Sequence, residues 1–194
     1  MNWQAIPGAP LLRRTSLLTP GEAEDCLDRL QSELLWNNGT FEAFGRRFPL
    51  PRLQAWHADP GVEYRYARQL HNSRPWTPAL QALRLRIEDA CAMAFNAVLA
   101  NYYRNGQDCV GWHADDEPDL GPAPAIASLS LGATRVFSWR RRGDPSSSGA
   151  TQLPAGTLLL MVAPFQRDFE HAILSDPAIH SPRLNLTFRQ VLGS

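Results

Sequence analysis

The chain has 194 residues, 44% of them hydrophobic and 20% charged, and carries no net charge. This composition is typical of one ordinary globular domain and argues against a strongly basic nucleic-acid-binding protein. No apolar run approaches the ~18 residues of a membrane span, and the first residues lack the pattern of a secretory signal. We therefore expect a cytoplasmic monomer without a membrane partner. The three cysteines are far apart and form no CxxC pair, which argues against a disulfide framework.

Two helices are predicted in the first half of the chain. Leucines at helical spacing after Thr19-Pro20 predict a helix over residues 20–35 as the first clear element. Residues 36–60 read as irregular, and a short strand follows at 63–67. The second helix begins at Thr77, a plausible N-cap followed by proline, and its apolar stripe predicts an end near residue 97.

The second half of the chain has the period-two alternation of strands. We predict seven strands, at residues 98–104, 110–114, 125–132, 134–141, 156–162, 169–174 and 183–191. The segment DPSSSG, residues 144–149, is predicted to be a turn or loop.

This order of elements predicts a mainly β fold with flanking helices, a jelly-roll (double-stranded β-helix) core with the helices against an outer face. We expect a single domain over residues 1–194. Within it, residues 1–40 form an N-terminal helical extension, 77–194 a helix and the jelly-roll core, and 41–76 the region between them.

A possible metal site lies in the run NYYRNGQDCVGWHADDE, residues 101–117. His113 and Asp115 are two residues apart, so in an extended segment both side chains point to one face. His171, in a later predicted strand, supplies a third ligand. Two histidines and one carboxylate form the facial triad of Fe(II) oxygenases. A catalytic zinc with the same ligands is a chemical alternative, and HxD alone is a short motif that often occurs by chance.

The last predicted strand, RLNLTFR, places four polar residues on one face at period two. These are Arg183, Asn185, Thr187 and Arg189. A solvated edge strand is one explanation. The other is a buried dicarboxylate such as 2-oxoglutarate, because guanidinium groups match carboxylates bidentately. Asn101 and Tyr103 alternate on an earlier strand and could donate hydrogen bonds to the same molecule.

HxD, a distant histidine and RLNLTFR together resemble the AlkB-type nucleic-acid dealkylating dioxygenases. The NYY…WHADDE run and the segment PRLQAW…YRYA are similar to the animal DNA-repair branch of that family, and the resemblance covers roughly residues 40–191. It implies Fe(II), 2-oxoglutarate and O2 as cofactors. Iron would be held by His113, Asp115 and His171, and 2-oxoglutarate would contact the six polar residues named above, with Arg183 at the distal carboxylate and Arg189 at the metal end.

The resemblance also implies that residues 41–76 form a nucleotide-recognition region, and it implies a set of substrate contacts. Tyr64 and Tyr66 would line the base pocket, and Asp116 and Glu117 would face the substrate, one of them paired with Arg52. Two further aromatic residues are expected at the DNA: Trp56, which could stack on the base, and Phe44, which falls where the family carries an intercalating finger. The arginines at 46–47 and 140–142 could hold phosphates.

The implied function is oxidative demethylation of 1-methyladenine and 3-methylcytosine in DNA, with release of formaldehyde, succinate and CO2. RNA is a further possible partner. Two alternatives stay open: the same chemistry on RNA, protein or lipid, and a non-enzymatic jelly-roll binding module. A zinc hydrolase is weaker, since it leaves Arg183 and Arg189 unexplained.

Overall fold

A computed structural model describes residues 1–43, 46–62, 64–66, 69–71 and 73–192 of the chain. Its strands pair antiparallel with their neighbours in the sheets. In this part of the chain the strands are β1 (Gln4–Ile6), β2 (Ala9–Ser16), β3 (Thr40–Ala43), β4 (Arg46–Pro49), β5 (Leu53–Ala58), β6 (Tyr64–Tyr66), β7 (Gln69–His71), β8 (Ala97–Tyr103), β9 (Val110–His113), β10 (Ile126–Gly132), β11 (Arg135–Arg141), β12 (Asp144–Leu153), β13 (Thr157–Met161), β14 (Phe169–Ile173) and β15 (Arg183–Arg189).

The helices are α1 (Pro20–Glu33), α2 (Pro78–Cys91) and the short α3 (Phe165–Asp168). Thr19 caps α1 in a reciprocal capping box with Glu22, and Thr77 caps α2 by accepting the Leu80 N–H. Both predicted helix starts are therefore confirmed. Within the described residues, no helix is long and apolar enough to cross a membrane.

Two antiparallel sheets form the core of the molecule. The larger sheet has seven strands in the order β1-β2-β13-β10-β15-β8-β5, and the smaller has four in the order β12-β11-β14-β9. The strands β3–β4 and β6–β7 form two separate hairpins. Paired antiparallel sheets of this kind are the predicted jelly-roll architecture.

Hydrophobic side chains pack on both faces of the larger sheet. One cluster joins its outer face to α1 and α2, with Leu184, Leu186 and Phe188 of β15 among its members. The other fills the space between the sheets and joins residues such as Leu99 of β8 to Phe137 of β11. Both faces of β15 are thus covered, and each of its seven residues is buried. The solvated-edge explanation of this strand is therefore wrong.

The second helix is shorter than predicted. It ends at Cys91, and Ala92 takes a left-handed conformation with φ 52°. The next residues bond to other partners: the Phe95 N–H donates to the Glu88 carboxylate, and the Asn96 N–H donates to the Arg189 carbonyl. These bonds tie the chain to the end of β15, so residues 97 onward form a strand instead of continuing the helix.

Several strands lie where none was predicted. Residues 1–40 are not only helical, because β1 and β2 join the larger sheet. The buried positions of β2 are Ala9, Leu12 and Thr15, three residues apart, so the usual alternation is missing from the sequence. Residues 36–60 contain β3, β4 and β5. In β5 the polar residues Gln54 and His57 are buried against specific partners, which hides the strand pattern.

The predicted loop DPSSSG is part of β12. This strand lies at the edge of the smaller sheet and its first five residues are exposed, which accounts for the polar sequence. It pairs with β11, placing Gly149 opposite Trp139. A Cβ atom at Gly149 would lie 2.4 Å from the Trp139 ring, so the ring occupies the space that only glycine leaves.

Candidate iron and 2-oxoglutarate site

The three predicted metal ligands line one cavity between the two sheets. His113 ends β9, and His171 lies directly opposite it on β14. The centroids of the two imidazole rings are 4.2 Å apart. Asp115 follows two residues after β9 and is 1% exposed. Strand pairing thus brings together side chains that are 58 residues apart in the sequence.

Asp115 is held at one carboxylate oxygen and open at the other. Oδ1 accepts a hydrogen bond from Arg189 Nη2 at 2.8 Å, in an ion pair that is almost fully buried. Oδ2 is buried with no hydrogen-bond partner among the described residues. Burial alone would raise the pKa of Asp115, but Arg189, His171 and His113 outweigh it and lower the pKa to about 2. The carboxylate is therefore ionised at neutral pH.

His171 is a buried, neutral imidazole. Its ring stacks on Phe137 with centroids 5.2 Å apart and planes inclined by 23°. Burial, together with the neighbouring His113, lowers the pKa of His171 to about 3, and its buried Nδ1 has no hydrogen-bond partner among the described residues. A neutral imidazole is the form of histidine that binds metal ions.

These residues fit Fe(II) by their chemistry. They offer two imidazoles, one ionised carboxylate and, on Asp115, a buried oxygen without a partner, which is the donor set of a facial triad. Among the described residues, no group of three or more His, Cys, Asp or Glu side chains is already spaced as a metal cage. The fit therefore depends on the chemical types of the three metal-ligating side chains and on the unpartnered Oδ2 of Asp115, and not on ligands that are already at metal-binding distances.

The predicted cosubstrate residues line the same cavity. They are Asn101, Tyr103, Arg183, Asn185, Thr187 and Arg189. Asn101 and Tyr103 lie on β8 and the other four on its neighbour β15, while β10, on the other side of β15, adds Ser128 to the cavity wall. Hydrogen bonds join part of this set: Thr187 Oγ1 donates to Asn185, and Asn185 Nδ2 donates to Ser128 Oγ at 2.7 Å.

Arg183 is a cavity-lining cation whose hydrogen-bond donors are only partly used among the described residues. Its side chain is 1% exposed and lies over the Tyr103 ring, with the guanidinium carbon 5.2 Å from the centroid. Nη2 donates to Ser130 Oγ at 3.0 Å, while Nε and Nη1 have no hydrogen-bond partner among the described residues. Burial lowers the pKa of Arg183 to about 10, so the group stays charged at neutral pH. A buried cation with two unused donors fits a carboxylate.

The predicted substrate contacts have mixed outcomes. Arg52 is buried and donates to Asn101 Oδ1 at 2.8 Å and to the Cys109 carbonyl, while the exposed Asp116 pairs with Arg142. Of the two predicted partners of Arg52, Asp116 is therefore wrong, because it pairs with Arg142, and Glu117 stays a prediction; Arg52 holds the Asn101 amide. Trp56 is 5% exposed inside the core between the sheets, so it cannot stack on a base as predicted.

The remaining substrate contacts stay predictions. Tyr64 and Tyr66 lie in β6, paired with β7. Glu117 is half-buried beside the short 3-10 turn Pro118–Leu120. Phe44 lies outside the described residues. Of the predicted phosphate-binding arginines, Arg140 is already paired with Glu170 and stacked on Trp112.

Sequence reasoning missed four buried polar residues at the site: Ser128, which lines the cavity, and Ser130, Gln166 and Arg135, which contact residues that line it. The two serines bond to the cosubstrate strand, and their alternation with Leu129 and Leu131 was a signal that they share one face. Gln166 and Arg135 bond mainly to backbone groups of distant segments. No local motif in the sequence reveals such bonds.

Comparison with known proteins agrees with this geometry. Residues 12–189 match the family described as the 2OG-Fe(II) oxygenase superfamily. The chain belongs to this superfamily. The match covers nearly all of the described chain, including the three candidate ligands and the cosubstrate strand. The predicted enzyme class and the predicted cofactors Fe(II), 2-oxoglutarate and O2 are thereby confirmed at the level of the family.

Relatives of known name place this oxygenase among the AlkB-type members. Human alpha-ketoglutarate-dependent dioxygenase alkB homolog 3 is 39% identical over 179 residues, which are 88% of this chain and 62% of that protein. Human DNA oxidative demethylase ALKBH2 is 33% identical over 188 residues, 92% of this chain and 72% of that protein. The chain thus spans less than two thirds of the alkB homolog 3 relatives. The predicted AlkB-type resemblance is confirmed.

A solved structure shows the same fold. The structure titled "The structure of OsALKBH1" superposes with a TM-score of 0.70 at 18% identity, covering 97% of this oxygenase and 100% of that chain. At this identity the likeness concerns the fold alone. It confirms the predicted jelly-roll core.

Proposed function

We propose that this oxygenase is a Fe(II)- and 2-oxoglutarate-dependent demethylase that repairs N-methylated bases, 1-methyladenine and 3-methylcytosine, in DNA. One observation carries the chemical half of the proposal: the open oxygen of Asp115 and the two unused donors of Arg183 face the same buried cavity. The relative named DNA oxidative demethylase supports the choice of substrate.

In this proposal one set of cavity residues binds the metal and another binds 2-oxoglutarate. His113, Asp115 and His171 hold the metal, and Arg189 fixes the carboxylate of Asp115 by occupying its other oxygen. Arg183 binds the distal carboxylate of 2-oxoglutarate. Fe(II) held there would supply the oxidative chemistry: one oxygen atom of O2 would enter succinate as 2-oxoglutarate loses CO2, and the other would enter a methyl C–H bond of the base.

The methyl group leaves the base after it has been hydroxylated. The N–CH2OH product breaks at the C–N bond: the electron pair returns to the ring nitrogen, the hydroxyl proton is released, and the carbon departs as formaldehyde. The cavity must exclude bulk water during the reaction, and its apolar wall of Leu99, Val110, Phe137, Met161 and Ile173 suits that task.

We expect the acidic residues that follow Asp115 in the sequence to favour a cationic substrate, with Asp116 exchanging its ion pair with Arg142 for the base. Asp116 is next to the ligand Asp115 and is exposed, and Glu117 follows it. Both 1-methyladenine and 3-methylcytosine carry a positive charge, which a nearby carboxylate would stabilise. The base must leave the stack to reach the cavity, and this costs less for a lesion that cannot pair. Tyr64 and Tyr66 are proposed to receive it by stacking.

The proposal is tested by mass spectrometry of oligonucleotides that carry one 1-methyladenine or 3-methylcytosine, in single- and double-stranded form. With Fe(II) and 2-oxoglutarate we expect the oligonucleotide to lose the mass of one CH2 unit, because hydrogen replaces the methyl group, and we expect no loss with His113→Ala. Absence of repair in both forms, while the protein still converts 2-oxoglutarate to succinate, would contradict the DNA substrate. Repair of the matching RNA oligonucleotides alone would point to RNA instead.

A further inference from the structure

Gln166 is a completely buried polar residue beside the candidate iron site. It lies on α3, the four-residue helix between β13 and β14, and its exposed fraction is 0%. Its Oε1 accepts a hydrogen bond from the backbone N–H of Asp115 at 3.0 Å. Its Nε2 lies 3.2 Å from the sulfur of Met161, a weak acceptor. The amide is thus oriented by its stronger bond, which goes to Asp115.

Asp115 needs this partner because no strand neighbour reaches it. Strand β9 ends at His113, and the residues after it are outside the sheet. A buried backbone N–H without a partner would lose its hydrogen bond to water and gain none in return, which destabilises the folded chain. Gln166 is 51 residues away in the sequence and supplies the acceptor that the sheet does not.

Two contacts therefore fix Asp115 from opposite ends. Gln166 holds its backbone, and Arg189 holds Oδ1 of its carboxylate. With both in place, the remaining oxygen, Oδ2, has no hydrogen-bond partner in the part of the chain that the structure describes. The hydrogen bonds from Asp115 to Gln166 and from Arg189 to Asp115 therefore determine together which oxygen of Asp115 is available to a metal ion and where that oxygen lies.

The same short helix also contacts the second ligand. Phe165, the neighbour of Gln166, stacks on Phe169 and lies 6.1 Å from the His171 ring, centroid to centroid. One segment thus supports Asp115 through a hydrogen bond and His171 through ring packing.

We propose that Gln166 is a positioning residue for the iron site, which sets the metal affinity by fixing the backbone of Asp115. This inference rests on the proposed function, because it assumes that Asp115 is a metal ligand. Hydrogen-bond partners behind metal ligands typically change metal affinity by roughly 10–100-fold when they are lost. We expect an effect of that size here.

The test is calorimetric titration with Mn(II), which replaces Fe(II) without oxidation, on the wild-type chain and three variants. Gln166→Met keeps the size of the side chain and removes the acceptor, so the Kd should rise roughly 10–100-fold. Gln166→Glu keeps an oxygen acceptor and should bind Mn(II) more tightly than Gln166→Met. Gln152→Met, an exposed change on β12, should bind Mn(II) like the wild type.

A second readout follows the hydrogen bond itself. Amide hydrogen exchange at Asp115 should be faster in Gln166→Met than in the wild type, because its protecting acceptor is gone. If Gln166→Met does not fold, Gln166→Asn serves in its place, since its shorter amide withdraws the acceptor and should also weaken Mn(II) binding.

The outcomes separate this inference from the proposed function. Wild-type affinity for Mn(II) in a Gln166→Met protein of lowered thermal stability would overturn the inference, because Gln166 would then be purely structural. That result would leave the proposed function intact. Failure of the wild-type chain itself to bind Mn(II) would overturn both.

Discussion

Replacing Arg183 with methionine should lower the affinity for 2-oxoglutarate and leave the stability of the free protein almost unchanged. The guanidinium is 1% exposed, still charged, and has two N–H groups without a hydrogen-bond partner among the described residues. In the free protein it is therefore a buried cation that is only partly compensated. Methionine fills similar space without the charge.

The size of the two effects follows from these contacts. A hydrogen bond to a charged group contributes about 1.5–3 kcal/mol, so losing two to a carboxylate costs about 3–6 kcal/mol, or roughly 10²–10⁴-fold in Kd. The bond to Ser130 is lost as well, but so is the desolvation of a cation. We expect the lost hydrogen bond to Ser130 and the removed cost of burying a cation to cancel, so that the unfolding free energy of the free protein changes by less than about 1 kcal/mol.

Two measurements check this prediction. Calorimetry with 2-oxoglutarate in the presence of Mn(II) gives the Kd, and urea unfolding of the free protein gives the stability. Arg86→Met is the matched control, because Arg86 forms an exposed pair with Glu22 far from the cavity and should alter the Kd little. An unchanged Kd in Arg183→Met, or a loss of several kcal/mol of stability, would refute the reasoning.

Three further predictions concern the frame around the site. Arg135→Met should destabilise the chain by about 3–5 kcal/mol in urea unfolding, since Arg135 donates to the carbonyls of Asn105, Gly106, Asp108 and Leu174; a loss below ~1 kcal/mol would contradict this role. Gly149→Ala should cost about 1–3 kcal/mol and displace the buried Trp139 ring, seen as a change in tryptophan fluorescence; unchanged stability and fluorescence would count against the close approach. Burial lowers the pKa of His57 below its ordinary 6.5. The unfolded chain therefore binds the proton more readily than the folded chain. The stability that the neutral ring contributes is fully present above about pH 6.5 and is lost as the pH falls. Urea unfolding of wild type and His57→Gln between pH 8 and 5 should therefore converge as pH falls, and parallel curves would contradict this.

The cosubstrate strand β15 could be predicted from the sequence because the alternation of its side chains depends only on neighbouring residues. Arg183 and Arg189 lie six residues apart on one strand face, so the strand period alone put them together. The pairing of His113 with His171 required the strand register, which no local pattern encodes. His171 was identified by spacing and resemblance, and its position opposite His113 emerges only from the folded sheet.

The elements that were missed share a different cause. Strand β2 buries every third residue, and β5 buries Gln54 and His57, so neither shows the usual alternation. Strand β12 looks like a loop because its polar residues are exposed at a sheet edge. In each case the tertiary partner, and not the local sequence, makes the segment a strand. The same holds for Gln166, whose role depends on a neighbour 51 residues away.

The most direct test of the central claim is the yield of succinate and of demethylated base in one reaction, with an oligonucleotide that carries 3-methylcytosine. The wild-type chain should form both only when Fe(II) is present, with at least one succinate for each base repaired. His113→Ala should form neither. Repair that survives the loss of His113 or the omission of Fe(II) would contradict the assignment of this cavity as the iron and 2-oxoglutarate site.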